Sequence, residues 1–368
     1  MSVSRVEIKD LLVFKGEFTA NFCPGVNVLI GKNGTGKTTL MKVLYWGCEF
    51  SNKSVLENGG ILRLGVKEDL PFNTIFLLYC YFNQLITSKN SGNDYNSSIE
   101  SSIKIYSDEI DSIHPVLDMS ISKGLGSTQL HNIGTGCPQN VAFEKWCRLK
   151  VQSVFIPVTE MLSHSRGLLA LNRERPLPFD YTEMDIISKA ELEPTRHVTK
   201  NAKNVIDIIS RIIEGEVTFD GKDFYIDRKD GDSIPFSFEA SGFRKFGLLW
   251  KLIRNGLLEK DSILFWDEPE NSLSPELVPV LVDILLELSR NGVQVFIATH
   301  DYNFARYFDV RKDKTIPVAY HNLIKVDGQV ICNSSSEYIK LPDNHIEKAS
   351  ANLFKAVVSD AMEVRNDE

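Results

Sequence analysis

Apolar and polar positions alternate along residues 4–14 and 17–22, with Val6 and Ile8 in the first stretch and Phe18, Ala20 and Phe22 in the second. This predicts two strands joined as a hairpin at Lys15-Gly16. Val26–Ile30, Val151–Pro157, Ser262–Trp266 and Val293–Thr299 are nearly continuous apolar runs, the pattern of strands covered on both faces. Helical spacing replaces alternation at Thr39–Leu44, at 180–214, where Val198, Val205, Ile208, Ile209 and Ile212 share a face, and from Glu276 to Arg290. Glu216–Phe219 and Phe224–Ile226 form a hairpin through Asp220-Gly221, with Ile234–Phe238 as a third strand. Ile103–Tyr106 and Val116–Ile121 read as short strands, Ser122–Gly136 as turn-rich, and Val141–Leu149 as a short helix. Leu70–Leu85 fits a buried strand or a buried helix equally, Ser51–Gly65 is polar, and Thr87 to Ser102 is so poor in large apolar groups that it reads as a flexible loop. Strands alternating with helices make this an α/β chain.

The first strand–helix junction carries chemistry. Gly31-Lys32-Asn33-Gly34-Thr35-Gly36-Lys37-Thr38 matches the phosphate-binding pattern G-x-x-x-x-G-K-[ST]. Gly31, Gly34 and Gly36 let the backbone curl so that successive N–H groups, Asn33 and Thr39 included, face one phosphate chain. Lys37 places a cation near the outer phosphates, and the Thr38 hydroxyl is a ligand for Mg²⁺. The helix that follows adds its positive dipole end. ATP and Mg²⁺ are the expected ligands.

Composition narrows the class. The chain has 368 residues, 43% hydrophobic and 24% charged, enough for one large or two modest soluble domains. A net charge of −8 speaks against a surface coated for nucleic acid, although Arg173, Arg175, Arg196, Lys200 and Lys203 would make either a local DNA-binding face or a solvated one. The six cysteines show no C-x-x-C pair and read as reduced thiols. The opening residues form no apolar targeting segment, and the longest apolar run, Ile75 to Phe82, is too short to span a bilayer. A cytoplasmic protein with no membrane partner is expected.

Three later stretches bear on the same site. The buried run Ser262–Trp266 ends in Asp267-Glu268, two acids that are costly at a strand end unless a cation or a reaction needs them. Asp267 would organise Mg²⁺, and Glu268 would polarise the attacking water. Val293–Thr299 ends at His300, where an imidazole can donate a hydrogen bond to a γ-phosphate. Ala240-Ser241-Gly242 stands before an amphipathic helix, a second anion-binding position in which Ser241 is equally a simple cap. Thr159 and Glu160 follow the proline-stopped strand; they would either reach the site or cap the next helix.

Taken in order, Gly-Lys-Asn-Gly-Thr-Gly-Lys-Thr, Ala-Ser-Gly, Phe-Trp-Asp-Glu-Pro-Glu-Asn-Ser-Leu and Ala-Thr-His resemble the ABC-type ATPase superfamily, over residues 1–50 and 150–305. More narrowly, they look like its soluble branch of SMC, RecF and overcoming-lysogenization-defect (OLD) ATPases. Asp-Glu-Pro-Glu-Asn-Ser-Leu-Ser-Pro and Phe-Ile-Pro-Val-Thr-Glu-Met-Leu-Ser are similar to OLD-like subunits of anti-phage systems of the Septu and PARIS types. The resemblance implies an ABC-type head: a mixed β-sheet core with an N-terminal antiparallel lobe, built from residues 1–50 and 150–310. Residues 180–214 would be its helical subdomain, 51–149 an inserted lobe, and 311–368 a C-terminal extension. It implies Glu268 as catalytic base, His300 as switch histidine, and Asn271 and Ser272 in the D-loop. Thr159 and Glu160 would fill the Q-loop place. Ser241 and Gly242 would be the signature completing the site of an opposing copy. The signature is reduced to Ala-Ser-Gly-Phe-Arg, Ser274 replaces the transporter D-loop aspartate, and the Q-loop glutamine is missing.

These departures point away from transport. No long heptad run supports a coiled coil, and no acidic triad, H-x-x-x-H or Asp-x-Asp after His300 supports a nuclease. The expected function is a head-to-head homodimeric ATPase that regulates a separate effector, a nuclease, in anti-phage defence. The alternative is a RecF-like ATPase that clamps DNA itself.

Overall fold

The computed structural model describes residues 2–53, 100–124, 127–131, 141–175 and 177–366. The expectations for Leu70–Leu85 and for most of 51–65 and 87–102 lie outside the described residues.

The strands form three sheets. Six of them, β3 (Val26–Gly31), β7 (Ser153–Ile156), β11 (Ile263–Asp267), β12 (Gln294–Ala298), β13 (Val318–Val326) and β14 (Gln329–Ser335), assemble in the order β14-β13-β3-β12-β11-β7. All pairs are parallel except the β13–β14 hairpin. The period of two along each strand sends alternate side chains into two cores. Leu264, Trp266, Val295 and Ile297 enter one core, while Ile263, Phe265 and Phe296 enter the other. Phe265 stacks on Phe296 at 5.0 Å. Each such side chain stabilises the fold by about 1.5–3 kcal/mol on leaving water.

Over one face lie β1 (Arg5–Leu11) and β2 (Phe14–Asn21), continued by β4 (Glu100–Tyr106), β5 (Leu117–Gly124) and β6 (Ser127–His131) into an antiparallel sheet of order β2-β1-β4-β5-β6. The same core takes in helix α1 (Lys37–Lys53) and helix α2 (Val141–Leu149). The other face carries α4 (Tyr181–Ala190), α5 (Lys200–Ile212), α6 (Ser241–Arg254) and α7 (Val278–Arg290), with α3 (Leu168–Glu174) before them. A small sheet of β8 (Gly215–Phe219), β9 (Phe224–Arg228) and β10 (Ser233–Pro235) leads into α6. The chain closes through α8 (Tyr302–Arg311) and α9 (His345–Asn366).

Several expectations are corrected. The first hairpin turns at Leu12-Val13, not Lys15-Gly16. A register shift between Lys9 and Leu11 absorbs a residue, and the Asp10 carboxylate accepts the Gly16 N–H at 2.8 Å, which places Gly16 inside β2. Residues 100–102 belong to β4 rather than to a loop, and the stretch read as turn-rich contains the rest of β5 and β6. The third strand stops at Pro235, and Phe236–Phe238 form a short 3₁₀ turn. Ile208 leaves the buried stripe of α5 and is 37% exposed. Residues 311–368 include β13, which pairs along the whole of β3, so the core sheet continues beyond residue 310.

Helix α1 is fastened to α4 by a buried polar cluster. Lys189 Nζ donates to Glu49 Oε1 at 2.9 Å and to Tyr45 OH at 2.7 Å, and pairs with Asp185 Oδ2 at 2.7 Å. Tyr45 OH donates to Asp185, Tyr181 OH donates to Asp185 Oδ1 at 3.1 Å, and Ser153 Oγ donates to Glu49 at 2.8 Å. Burial pulls the Lys189 ammonium pKa down, but the two carboxylates outweigh it and hold the group above its ordinary range.

Candidate nucleotide site

The loop after β3 is shaped by contacts that leave no room for a Cβ. A Cβ on Gly31 would lie 2.5 Å from the Leu323 carbonyl oxygen of β13. Gly36, at φ 93°, lies against the first hairpin, and a Cβ there would sit 2.6 Å from Val13 Cγ1 and 2.9 Å from the Phe14 ring. Strand and hairpin thus press the loop into shape from two sides. The Lys37 side chain folds back along it, donating to the carbonyls of Gly31 at 2.9 Å and Lys32 at 3.3 Å. Burial lowers the Lys37 pKa to about 8, against the pull of Asp267 and Glu268.

Asn33, Gly34, Gly36, Lys37, Thr38, Thr39, Asp267, Glu268 and His300 line one cleft of about 250 Å³. Gly31 is not among the lining residues; it lies against the Leu323 carbonyl. At its floor, Thr38 Oγ1 donates to Asp267 Oδ2 at 2.7 Å. Asp267 ends β11 and is buried; burial raises its pKa, Thr38 opposes this, and Glu268 adds to it. A buried carboxylate touching a hydroxyl, with a second carboxylate next in sequence, is a donor set suited to a hard divalent cation. The residues therefore fit Mg²⁺, with Thr38 and Asp267 as its holders.

Glu268 follows in a left-handed conformation, φ 46°, with its N–H on the Ala298 carbonyl at 2.9 Å. Its Oε1 stands 3.8 Å from His300 Nε2. Burial lowers the His300 pKa, Lys37 lowers it further, and Glu268 partly offsets both.

The remaining expected residues stand elsewhere. Thr159 is exposed. Glu160 accepts the N–H of Leu162 at 2.6 Å and pairs with Arg244 at 3.3 Å, so its carboxylate caps a 3₁₀ turn. Neither lines the cleft, so the Q-loop expectation is not met in this arrangement: the cap absorbs the acid. Ser241 and Gly242 open α6 outside the cleft, with Ser241 Oγ donating to the Ser272 carbonyl at 3.2 Å. Ser272, at φ 61°, and Asn271 are exposed beside them.

Two residues went unread in the sequence. Glu270 is half-buried, accepts the Thr299 hydroxyl, and has its pKa raised by burial. Lys245 donates to the carbonyls of Glu268 and Pro269. The Pro-Glu after Asp267-Glu268 was the available signal for the first; nothing marked the second.

The parallel sheet, the loop entering α1 and the acids ending β11 make a P-loop ATPase fold. Residues 1–128 match a family described as an AAA ATPase domain. Residues 160–306 match one described as an AAA domain, putative AbiEii toxin, Type IV TA system. The glutamine transport ATP-binding protein GlnQ of Geobacillus stearothermophilus is 35% identical over 54 residues, 15% of this chain and 22% of that protein. The energy-coupling factor transporter ATP-binding protein EcfA of Methanothermobacter thermautotrophicus is 42% identical over 55 residues, 15% and 18% respectively. The chain spans about a fifth of the length of these curated relatives. Among solved structures, an Smc head bound to the C-winged helix domain of ScpA gives a TM-score of 0.49 at 14% identity, covering 92% of this chain and 99% of that one. The SMC head domain from Thermotoga maritima gives 0.43 at 14% identity, covering 90% and 98%. Among the described residues, no helix is long and apolar enough to cross a membrane.

Proposed function

We propose that this chain binds and hydrolyses Mg-ATP, pairs head to head with a second copy across the nucleotide, and regulates a separate effector, a nuclease, in bacterial anti-phage defence. The observation that carries the hydrolytic part is the Thr38–Asp267 contact, with Lys37, Glu268 and His300 on the same cleft. Lys37 leaves its two loop carbonyls for the outer phosphates. Glu268 accepts the proton of the attacking water, and His300 donates toward the γ-phosphate. Mg²⁺, when bound, neutralises charge on the phosphates. Ser241 and Gly242, outside their own cleft, complete the site of the opposing copy.

The defence role draws on the toxin–antitoxin description of the family matching residues 160–306 and on the resemblance of Asp267–Pro275 to OLD-like subunits. The test pairs two variants. Lys37→Ala loses ATP binding; Glu268→Gln keeps it, stops turnover and traps an ATP-dependent dimer seen by light scattering. Mass spectrometry of trapped Glu268→Gln recovered from its host then reads the partner. A nuclease at fixed ratio supports the regulator, whereas DNA with repair proteins and no dedicated partner moves the assignment to a clamp. Turnover by Glu268→Gln at the parental rate would remove the base assignment.

A further inference from the structure

We propose that Lys245 is a positioning residue for the reaction at this site: from α6 it grips the main chain at Glu268 and Pro269 and so fixes where the Glu268 carboxylate stands. This rests on the reading of Glu268 as general base.

Lys245 lies on the first turns of α6 among Phe246, Leu248, Leu249, Leu252 and Ile253, all buried, and is itself only 8% exposed. An apolar side chain would pack there at lower cost, because an ammonium taken out of water needs strong partners. Among the described residues, no carboxylate lies within ion-pair distance of Lys245; its hydrogen bonds go to the carbonyls of Glu268 at 3.2 Å and Pro269 at 3.3 Å. Burial lowers its pKa to about 8, against the more distant pull of Glu270 and Glu268.

The gripped segment is the one that most needs holding. Glu268 adopts a left-handed backbone that a residue with a Cβ disfavours, and Ser272 repeats it four residues on. The Glu268 carbonyl also accepts the Asn271 N–H at 3.1 Å, so this peptide is held from both sides. If it turns, the Cα–Cβ bond of Glu268 turns with it, and the carboxylate leaves its place 3.8 Å from His300.

The neighbours of Lys245 show that α6 reaches the adjoining loops as well. Ser241 binds the Ser272 carbonyl, and Arg244 binds Glu160. Lys245 is the member of this set that reaches Glu268. A shift at the start of α6, where Ser241 and Gly242 stand half-buried, is thereby delivered to the base.

A purely structural pin and a positioning residue predict different kinetics. In the full chain, Lys245→Met lowers kcat at least about tenfold and leaves KM for ATP within about twofold, the signature of an interaction lost from the transition state alone. Affinity for ADP is unchanged by calorimetry, while affinity for ADP–aluminium fluoride, which mimics the transferring phosphoryl group, falls by about the same tenfold. Lys245→Arg, which still donates to both carbonyls, restores kcat to within about threefold. Parental kcat and fluoride-complex affinity in Lys245→Met overturn the inference. So does an equal loss of ADP and fluoride-complex affinity, with a lower Tm that Arg does not rescue. The two readings separate cleanly: a silent Lys245→Met beside an inactive Glu268→Gln sinks the positioning role alone. Turnover by Glu268→Gln at the parental rate sinks the base assignment beneath it.

Discussion

The Thr38 hydroxyl donates to the Asp267 carboxylate at 2.7 Å across 229 positions of sequence. This contact joins the phosphate loop to the end of β11, where the proposed function places Mg²⁺. Thr38→Ala removes one metal ligand and the partner of a buried acid. Hydrolysis is then expected to need roughly tenfold more Mg²⁺ for half-maximal rate, and Thr38→Ser to stay close to the parent. A Mg²⁺ titration of steady-state turnover reads this; identical titrations for parent and Thr38→Ala would move the metal site elsewhere.

The Lys189 cluster predicts stability rather than turnover. Lys189→Met removes the buried ammonium that pairs with both Glu49 and Asp185. Breaking one side of a buried ionic cluster costs about 3–5 kcal/mol, and urea unfolding should show a loss of that order. A change below about 1 kcal/mol would mean that one acid already carries a proton in the parent.

His321 makes the fold sensitive to acid. Its ring lies fully buried between Asn27 Oδ1 at 3.1 Å and Ser334 Oγ at 2.8 Å. Because Asn27 Oδ1 can only accept, Nε2 carries the proton, and Nδ1 accepts from Ser334. Burial drives the His321 pKa down to about 3. The unfolded chain takes up a proton near pH 6.5 that the folded chain refuses until about pH 3. Stability is therefore unaffected by this group above pH 6.5 and falls through the window below it, by about 1.4 kcal/mol per pH unit. His321→Gln removes that slope. Melting curves of parent and variant should converge or cross between pH 7 and 5, and parallel curves would exclude His321 as the cause.

The phosphate loop and the two acids were legible because their chemistry is local: a Gly-rich turn before a helix, and carboxylates closing an apolar run. Contacts between distant segments were not. Val318–Val326 drew no strand expectation from the sequence, and only its register against β3 makes it part of the core. Gly16 suggested a turn that Asp10 and a register shift move to Leu12-Val13. Glu160 stood where a site residue was expected, but two backbone N–H groups and Arg244 claim its carboxylate first. Lys245 looked like one charge among the polar positions of an amphipathic helix, because burial is a property of what packs against a residue.

The place of β13 beside β3 has a consequence for biosynthesis. The strand that carries the phosphate loop comes long before both its neighbours, β12 and β13, in the sequence. Until Leu323 has left the ribosome, Gly31 has no carbonyl to lie against, and β3 stands unpaired on both sides. On the proposed function, nucleotide binding therefore awaits the synthesis of β12 and β13.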